Sequence, residues 1–332
     1  MPKIHKITTK SDWEGFCKDK GFDLYHTYSF HQAHAPVDGG EPILWCIHLD
    51  NDFIAYPLLE RNITNTEFKD ATSVYGYSGP ITNITSTSKF KKIFDLLVRY
   101  LKETEKYVSI FSRLNTLTTP RPILDECFIK HGKTINIDLT LSDVEQLSRF
   151  RSNHRRDIKK LSKNGFECSF VSIDDGLDDF VRVYNSTMNA LGASKYYFFP
   201  EQYYVELFEN NHSDIKLVQC IKDNEVACMG IFSFTNGIAQ YHLGGTAGEF
   251  YRFAPTKLMF NFVREYANSI GCHSLHLGGG LGGGEDNLFN FKLGFSDDVK
   301  SFYVCKKILN ENVYRELSKN KPESQYFPLY RS

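Results

Sequence analysis

The sequence predicts an α+β protein of two tandem halves, each a mixed, largely antiparallel sheet flanked by helices. Two observations carry this prediction. One order of elements is written twice along the 332 residues, and repeated order is the mark of duplication. The chain is also long enough, and at 41% hydrophobic content apolar enough, to build about two cores. The halves are expected at residues 1–140 and 141–332, with the joint near 136–145.

In the first half, residues 45–49, the polar turn Asp50-Asn51-Asp52 and residues 53–58 read as a hairpin, because apolar runs flank a turn of Asp and Asn. A third strand is expected at 73–77, running into the glycine-bearing loop 76–80. Phe90, Ile93, Phe94, Leu97 and Leu101 then share one face of a helix over 89–106. A strand at 108–111 and a helical piece at 127–132 follow, and a final strand closes the half.

The second half repeats this order. Residues 216–222, the turn Asp223-Asn224-Glu225 and residues 226–234 form a hairpin, and a third strand at 238–243 runs into a loop containing Gly244, Gly245 and Gly248. The helix that follows has Pro255 in its first turn, a stripe of Met259, Phe262, Val263, Tyr266 and Ile270, and Gly271 as its stop. A strand at 274–277, a helical piece at 290–294 and a closing strand complete it.

Composition narrows the function. The 39 basic and 40 acidic side chains nearly cancel, so the chain has no global field for DNA, and a hold on phosphates must come from a local patch. One patch stands out: Arg149, Arg151, Arg155, Arg156, Lys159, Lys160 and Lys163 surround an expected helix whose Phe150, Ile158 and Leu161 face inward. It suits phosphates of tRNA, of CoA or of a lipid-linked sugar, and equally a solvated helix face.

The eight cysteines include no Cys-x-x-Cys pair, which points to a reducing compartment and no structural zinc. His31 and His34 lie one helical turn apart with no carboxylate or thiol to complete a set, so no metal is expected. The stretch Met1-Pro2-Lys3-Ile4 lacks the features of a targeting signal, and no segment has the long uncharged run of a bilayer crossing. A cytoplasmic protein without an integral membrane segment is expected. Gly-x-Ser-x-Gly and His-Glu-x-x-His are absent, leaving transfer or binding rather than hydrolysis. The glycines of 278–284 do not spell a phosphate loop, and Glu285-Asp286 would repel a phosphate there.

A hairpin set joined through a helix to a further parallel strand is the order of the GNAT acetyltransferase fold, so the chain resembles a tandem GNAT protein. More specifically it resembles the Fem (FemABX-like) aminoacyltransferases of peptidoglycan bridges and their acetyltransferase-like relatives. The residues that carry this are Tyr77-Ser78-Gly79-Pro80, the basic helix 149–163 with Gly165, and above all Leu277-Gly278-Gly279-Gly280, Glu285-Asp286-Asn287-Leu288-Phe289 and Phe291-Lys292-Leu293-Gly294-Phe295. The chain departs from the pattern in having no room for the long helical arm of some Fem proteins, and no arginine shortly before Tyr196. Both departures leave room for a different acceptor.

The resemblance implies an acyltransferase that uses aminoacyl-tRNA or acyl-CoA as co-substrate, with no tightly bound cofactor. Such transfer needs positioning, an acceptor amine freed of its proton, and a stabilised oxyanion. Lys292 is the expected cation at the oxyanion or donor phosphate, where the family has its important lysine; alternatively it ends a surface helix. Asp286 either accepts the amine's proton or caps the helix that begins near Asn287. Tyr241, His242 and Phe291 are expected to bind substrate, together with Lys195 and Tyr196 in the aromatic run 196–199. Arg151, Arg155, Arg156, Arg252 and Lys257 are the expected donor-phosphate contacts, although Pro255 removes a backbone donor from the turn that would cradle the CoA pyrophosphate.

Three readings follow. An envelope precursor of peptidoglycan or surface polysaccharide receives an aminoacyl or acyl group on an amine, with tRNA as a partner. An acyl-CoA-dependent enzyme acylates an amino sugar or nucleotide-sugar. Or a non-catalytic tandem GNAT scaffold binds such a ligand without turnover.

Overall fold

The computed structural model of the chain describes residues 2–18, 20–119, 127–209 and 214–332, so Met1 of the stretch read for a targeting signal lies outside them. The chain divides into two compact units, residues 1–131 with 301–332, and residues 132–300.

The first unit begins with strand β1 (Lys3–Ile7) and helices α1 (Lys10–Cys17) and α2 (Tyr28–Asp38). Strands β2 (Glu41–Leu49), β3 (Asp52–Asn62), β4 (Lys69–Thr72) and β5 (Ile81–Thr82), helix α3 (Thr87–Glu103) and strand β6 (Tyr107–Arg113) follow. β1 to β4 pair antiparallel in sequence, β5 adds to β3, and β4 pairs with β6 in parallel. The expected hairpin is β2–β3, and its turn residue Asp50 takes a φ of +56°. All five stripe residues of α3 are fully buried, so the helical period was set by packing on the sheet.

Two first-half expectations fail. The third strand is 69–72, not 73–77: Ser73 N–H makes the last bond to β6, at Phe111 O, and the next β6 donor, Arg113 N–H, goes to Ser73 Oγ rather than to a backbone carbonyl. Residues 127–132, expected as helix, open strand β7 (Phe128–Asp138). Phe128 is buried, Ile129 to His131 are exposed, and Thr134 to Ile137 are buried in succession, as in a strand covered on both faces.

In the second unit β7 leads to α4 (Asp143–Arg149), α5 (Ser152–Lys163), β8 (Phe166–Val171), α6 (Ile173–Ala190) and α7 (Glu201–Glu209). Then come β9 (Asp214–Lys222), β10 (Glu225–Thr235), β11 (Ile238–Thr246), α8 (Thr256–Ser269), β12 (Ser274–Gly278), α9 (Asn287–Lys292) and β13 (Asp298–Ile308). The strand order is β7-β12-β11-β10-β9-β8, with β11–β12 parallel and the other pairs antiparallel. Met259 and Val263 of α8 pack with Phe232, Leu275, Leu277 and Phe295 in one core.

The basic stretch expected as one helix is two, broken at Phe150 and Arg151, where Phe150 turns into the core. Gly244, Gly245 and Thr246, expected as loop, finish β11. A Cβ on Gly245 would stand 2.7 Å from Thr187 Oγ1 and 2.8 Å from Val183 O, so the bare backbone is what lets α6 lie directly on the strand. Residues 301–332, expected with the second half, pack in the first unit. There 304–308 of β13 pair with β6, α10 (Glu311–Ser318) follows, and Tyr330 and Arg331 close on buried Asp70 at 2.9 and 2.6 Å. Among the described residues no helix is long and apolar enough to cross a membrane.

Candidate active site

The site forms where a parallel pair stops pairing. β11 and β12 are joined only from Ile238/Ser274 to Gln240/His276, after which β11 continues against β10 alone. At that point β11 bulges: Tyr241 opposes Phe232 and Leu243 opposes Ile231, leaving His242 as the extra residue. A bulge bends its strand and re-aims the neighbouring side chains. Tyr241 thus stands at the mouth of the fork, ringed by Phe260 at 4.9 Å and Phe232 at 5.2 Å. Burial pushes its phenol above the usual range.

β12 ends at Gly278, whose φ of +73° turns the chain into the loop 279–286. Asp286 closes this loop from the other side. Its Oδ2 accepts from Leu281 N at 2.9 Å and its Oδ1 from Phe289 N at 2.9 Å, so one carboxylate ties the loop and caps α9. A Cβ on Gly280 would lie 2.4 Å from that Oδ1 and 2.2 Å from Gly284 O, which leaves glycine as the residue that fits.

Helix α9 delivers Lys292 back to the fork. The lysine is only 5% exposed, its Nζ donates to Gly279 O at 2.8 Å and lies 5.5 Å from the centre of the Tyr241 ring. Burial lowers its pKa from the ordinary 10.5 to about 7, against a smaller raising effect of the Asp286 charge. A buried amine that changes protonation near neutrality can take a proton and return it in one cycle.

The position of α9 is fixed from below by His154 of α5. Its Nε2 lies 3.1 Å from Phe291 O, and its ring packs on Phe291 at 5.6 Å and Phe295 at 4.6 Å. The ring fills the space beside Gly294, where a Cβ would meet Nε2 at 2.2 Å. Burial, with the Lys257 charge second, lowers the His154 pKa to about 4, so the ring is neutral at ordinary pH. Sequence reasoning missed this residue, although its spacing to Ile158 and Leu161 placed it on the inward face of the helix.

Of the expected site residues, the structure brings together Tyr241, Asp286, Phe291 and Lys292. His242 is turned to α7, its Nε2 2.6 Å from Tyr203 OH. Lys195 is exposed on a short turn, and Tyr196 beside it packs edge-on against Tyr197 and Phe199. The expected phosphate contacts are divided. Arg151 donates to Asn290 O at 3.1 Å and so belongs beside α9. Arg155 is spent on the carbonyls of Leu147, Ser148 and Phe150, which cap α4. Lys257 is buried against Asp157 at 2.7 Å. Arg156 and Arg252 are exposed, the first 3.5 Å from Asp157 and the second over the Phe253 ring at 4.7 Å.

The turn before α8 is likewise occupied. Ala254 N–H donates to Tyr251 O, Lys257 N–H donates to Ala254 O, and Pro255 has no N–H to offer. His31 and His34 are packing residues: both are fully buried in α2, against Trp13 at 5.1 Å and Phe30 at 4.7 Å.

Residues 148–292 match the family model of the acetyltransferase (GNAT) domain. Among solved structures, FemX is 15% identical with a TM-score of 0.70, covering 94% of this chain and 99% of that one. A conserved protein of unknown function from Bacteroides thetaiotaomicron is 13% identical with a TM-score of 0.57, covering 92% and 100%. The C-terminal domain of a protein described as a lysylphosphatidylglycerol synthetase, from Agrobacterium fabrum, is 13% identical with a TM-score of 0.52, covering 92% and 91%. No curated protein matches the sequence. The chain has the GNAT fold, as its repeated element order predicts, and shares the fold of FemX over nearly its whole length.

Proposed function

We propose that the protein is an acyltransferase that moves an aminoacyl group from aminoacyl-tRNA to an amine of a cell-envelope precursor, forming an amide. The observation that carries this reading is Lys292, a buried amine with its pKa near 7, set at the fork of β11 and β12 beside Tyr241. Likeness to FemX and to a protein described as a lysylphosphatidylglycerol synthetase supports an aminoacyl group over a plain acyl group.

The acceptor amine attacks the ester carbonyl and forms the new C–N bond. Its surplus proton passes to Lys292 Nζ, and the resulting ammonium faces the oxyanion. Collapse breaks the ester C–O bond, and Lys292 returns the proton to the departing ribose oxygen. Asp286 holds the loop because both its oxygens accept backbone N–H groups, and its charge raises the lysine's basicity. Phe291 and Tyr241 shield the reacting carbonyl from water, while Arg151 and Arg156 meet donor phosphates.

The occupied turn before α8 favours tRNA over CoA as donor, since two of its amides are bonded internally and Pro255 supplies none. Charged tRNA places the reaction in the cytoplasm. The test is to incubate purified protein with peptidoglycan-precursor or amino-sugar acceptors and either charged tRNAs or acyl-CoAs, reading products by mass spectrometry. An amide formed from charged tRNA supports the reading. Product from acyl-CoA alone reassigns the donor, and product from neither leaves a binding scaffold.

A further inference from the structure

Three thiols stand in a row across neighbouring strands of the second unit. Cys168 on β8 is the register partner of Cys220 on β9, and Cys220 is the register partner of Cys228 on β10. Directly opposed residues of antiparallel strands share a face, with Cα atoms roughly 4.5 or 5.5 Å apart. Either separation lies within the range of about 4.4–6.8 Å over which a disulfide closes. Cys220 thus has a thiol opposite it on either side.

The row has an outer and an inner end. β8 is the last strand of the array and Cys168 is half-buried, whereas Cys220 and Cys228 are fully buried. At the inner end Cys228 Sγ lies 4.0 Å from Met259 Sδ of α8. A straight row stepped by the strand spacing of about 4.8 Å does not converge on an ion that needs sulfur at about 2.3 Å. Among the described residues no group of three such side chains is arranged to hold a metal. Paired thiols with one end at solvent suit exchange chemistry instead.

We propose that Cys168 and Cys220 form a reversible disulfide by exchange with a small-molecule disulfide. Cys168, at the half-buried outer end of the row, is the sulfur that a small disulfide reaches first. As a small disulfide arrives, Cys168 releases its proton to water. The Cys168 sulfur attacks, a mixed S–S bond forms, and one small thiolate leaves. The thiolate takes the proton from Cys220, whose sulfur attacks Cys168 Sγ and expels the second small thiolate, which takes up the proton that Cys168 released. Two cysteines are oxidised, the small disulfide is reduced to two thiols, and no other oxidant is needed. The bridge encloses α6 and α7, and with them Tyr203, which holds His242.

The test treats the full-length protein with oxidised glutathione and counts free thiols after denaturation, with peptide mapping by mass spectrometry. The expected result is a fall from eight free cysteines by two, a mapped Cys168–Cys220 link, and full recovery with dithiothreitol. Cys168→Ser and Cys220→Ser each abolish the link, and Cys228→Ser retains it. An undiminished thiol count, a mixed disulfide on Cys168 that persists, or a Cys220–Cys228 link overturns the proposal. None of these outcomes depends on the transferase reading.

Discussion

In both units an antiparallel hairpin leads to a third strand, a long helix and a strand parallel to the third, yet what the chain delivers after that parallel strand differs. In the first unit β6 is followed by Asn115, whose Oδ1 takes the N–H groups of Leu117 and Thr118 and whose Nδ2 donates to Asp23. In the second, β12 is followed by a glycine loop and α9, which return Lys292 to the strand fork. The buried titratable groups differ to match. Burial lowers the pKa of His31 in the first unit to about 3, so it is a neutral packing group, whereas Lys292 changes charge near 7. Duplication copies a frame, and chemistry depends on one residue brought back to an opening in it.

The largest expected effect comes from exchanging the two delivered residues' roles. Lys292→Ala should lower kcat by about 10²–10³-fold, the loss typical of a proton-transfer or oxyanion group, without loss of thermal stability. Asn115→Ala should do the reverse, costing about 2 kcal/mol of stability by leaving Asp23 and two amides short of partners, with kcat unchanged. Chemical denaturation and single-turnover assays of the two variants separate these outcomes. A kcat loss for Asn115→Ala comparable to that of Lys292→Ala would erase the contrast.

The next effect is on stability against pH. Unfolded chain holds the Lys292 proton up to about 10.5, and folded chain only up to about 7, so between these values the unfolded state binds more protons. Wild-type stability therefore rises with pH across that window. Lys292→Met removes the slope, and its stability gain over wild type should be larger at pH 6.5 than at pH 10, as read by urea midpoints. An equal gain at both values would mean the buried amine is not depressed.

Much of this frame was readable beforehand because its signals are local. The α3 stripe, both hairpins and the Pro255-to-Gly271 helix rest on period and turn chemistry, and the structure places all four within a few residues. What failed depended on distant partners. Strand 69–72 is fixed by pairing with β6, and the break at Phe150 by a core formed from other elements. The same holds at the site. Phe291-Lys292 stood out in sequence, but the Gly279 carbonyl that receives Nζ and the His154 ring under α9 are contacts across 13 and 137 positions.

Gly280→Ala sharpens the comparison further, since a Cβ there meets Asp286 Oδ1 and the Gly284 carbonyl. We expect about a tenfold loss in kcat/KM from displacing the loop that orients Lys292. The smallest effects separate two neighbours in the basic stretch. Arg155→Ala should cost about 1–2 kcal/mol by uncapping α4 and leave KM for the donor unchanged. Arg156→Ala should leave stability unchanged and raise that KM several-fold, as expected for one exposed phosphate contact. Identical behaviour of the two variants would remove the distinction.

The most direct test of the central claim is the pH profile of single-turnover transfer in wild type and Lys292→Arg. The account predicts a wild-type rate that rises with pH through a midpoint near 7 and levels above it, because the neutral amine takes the acceptor's proton. It also predicts that arginine, which stays protonated, loses the rate at every pH. A variant that keeps both the rate and the midpoint would contradict it, and would move the chemistry away from Lys292.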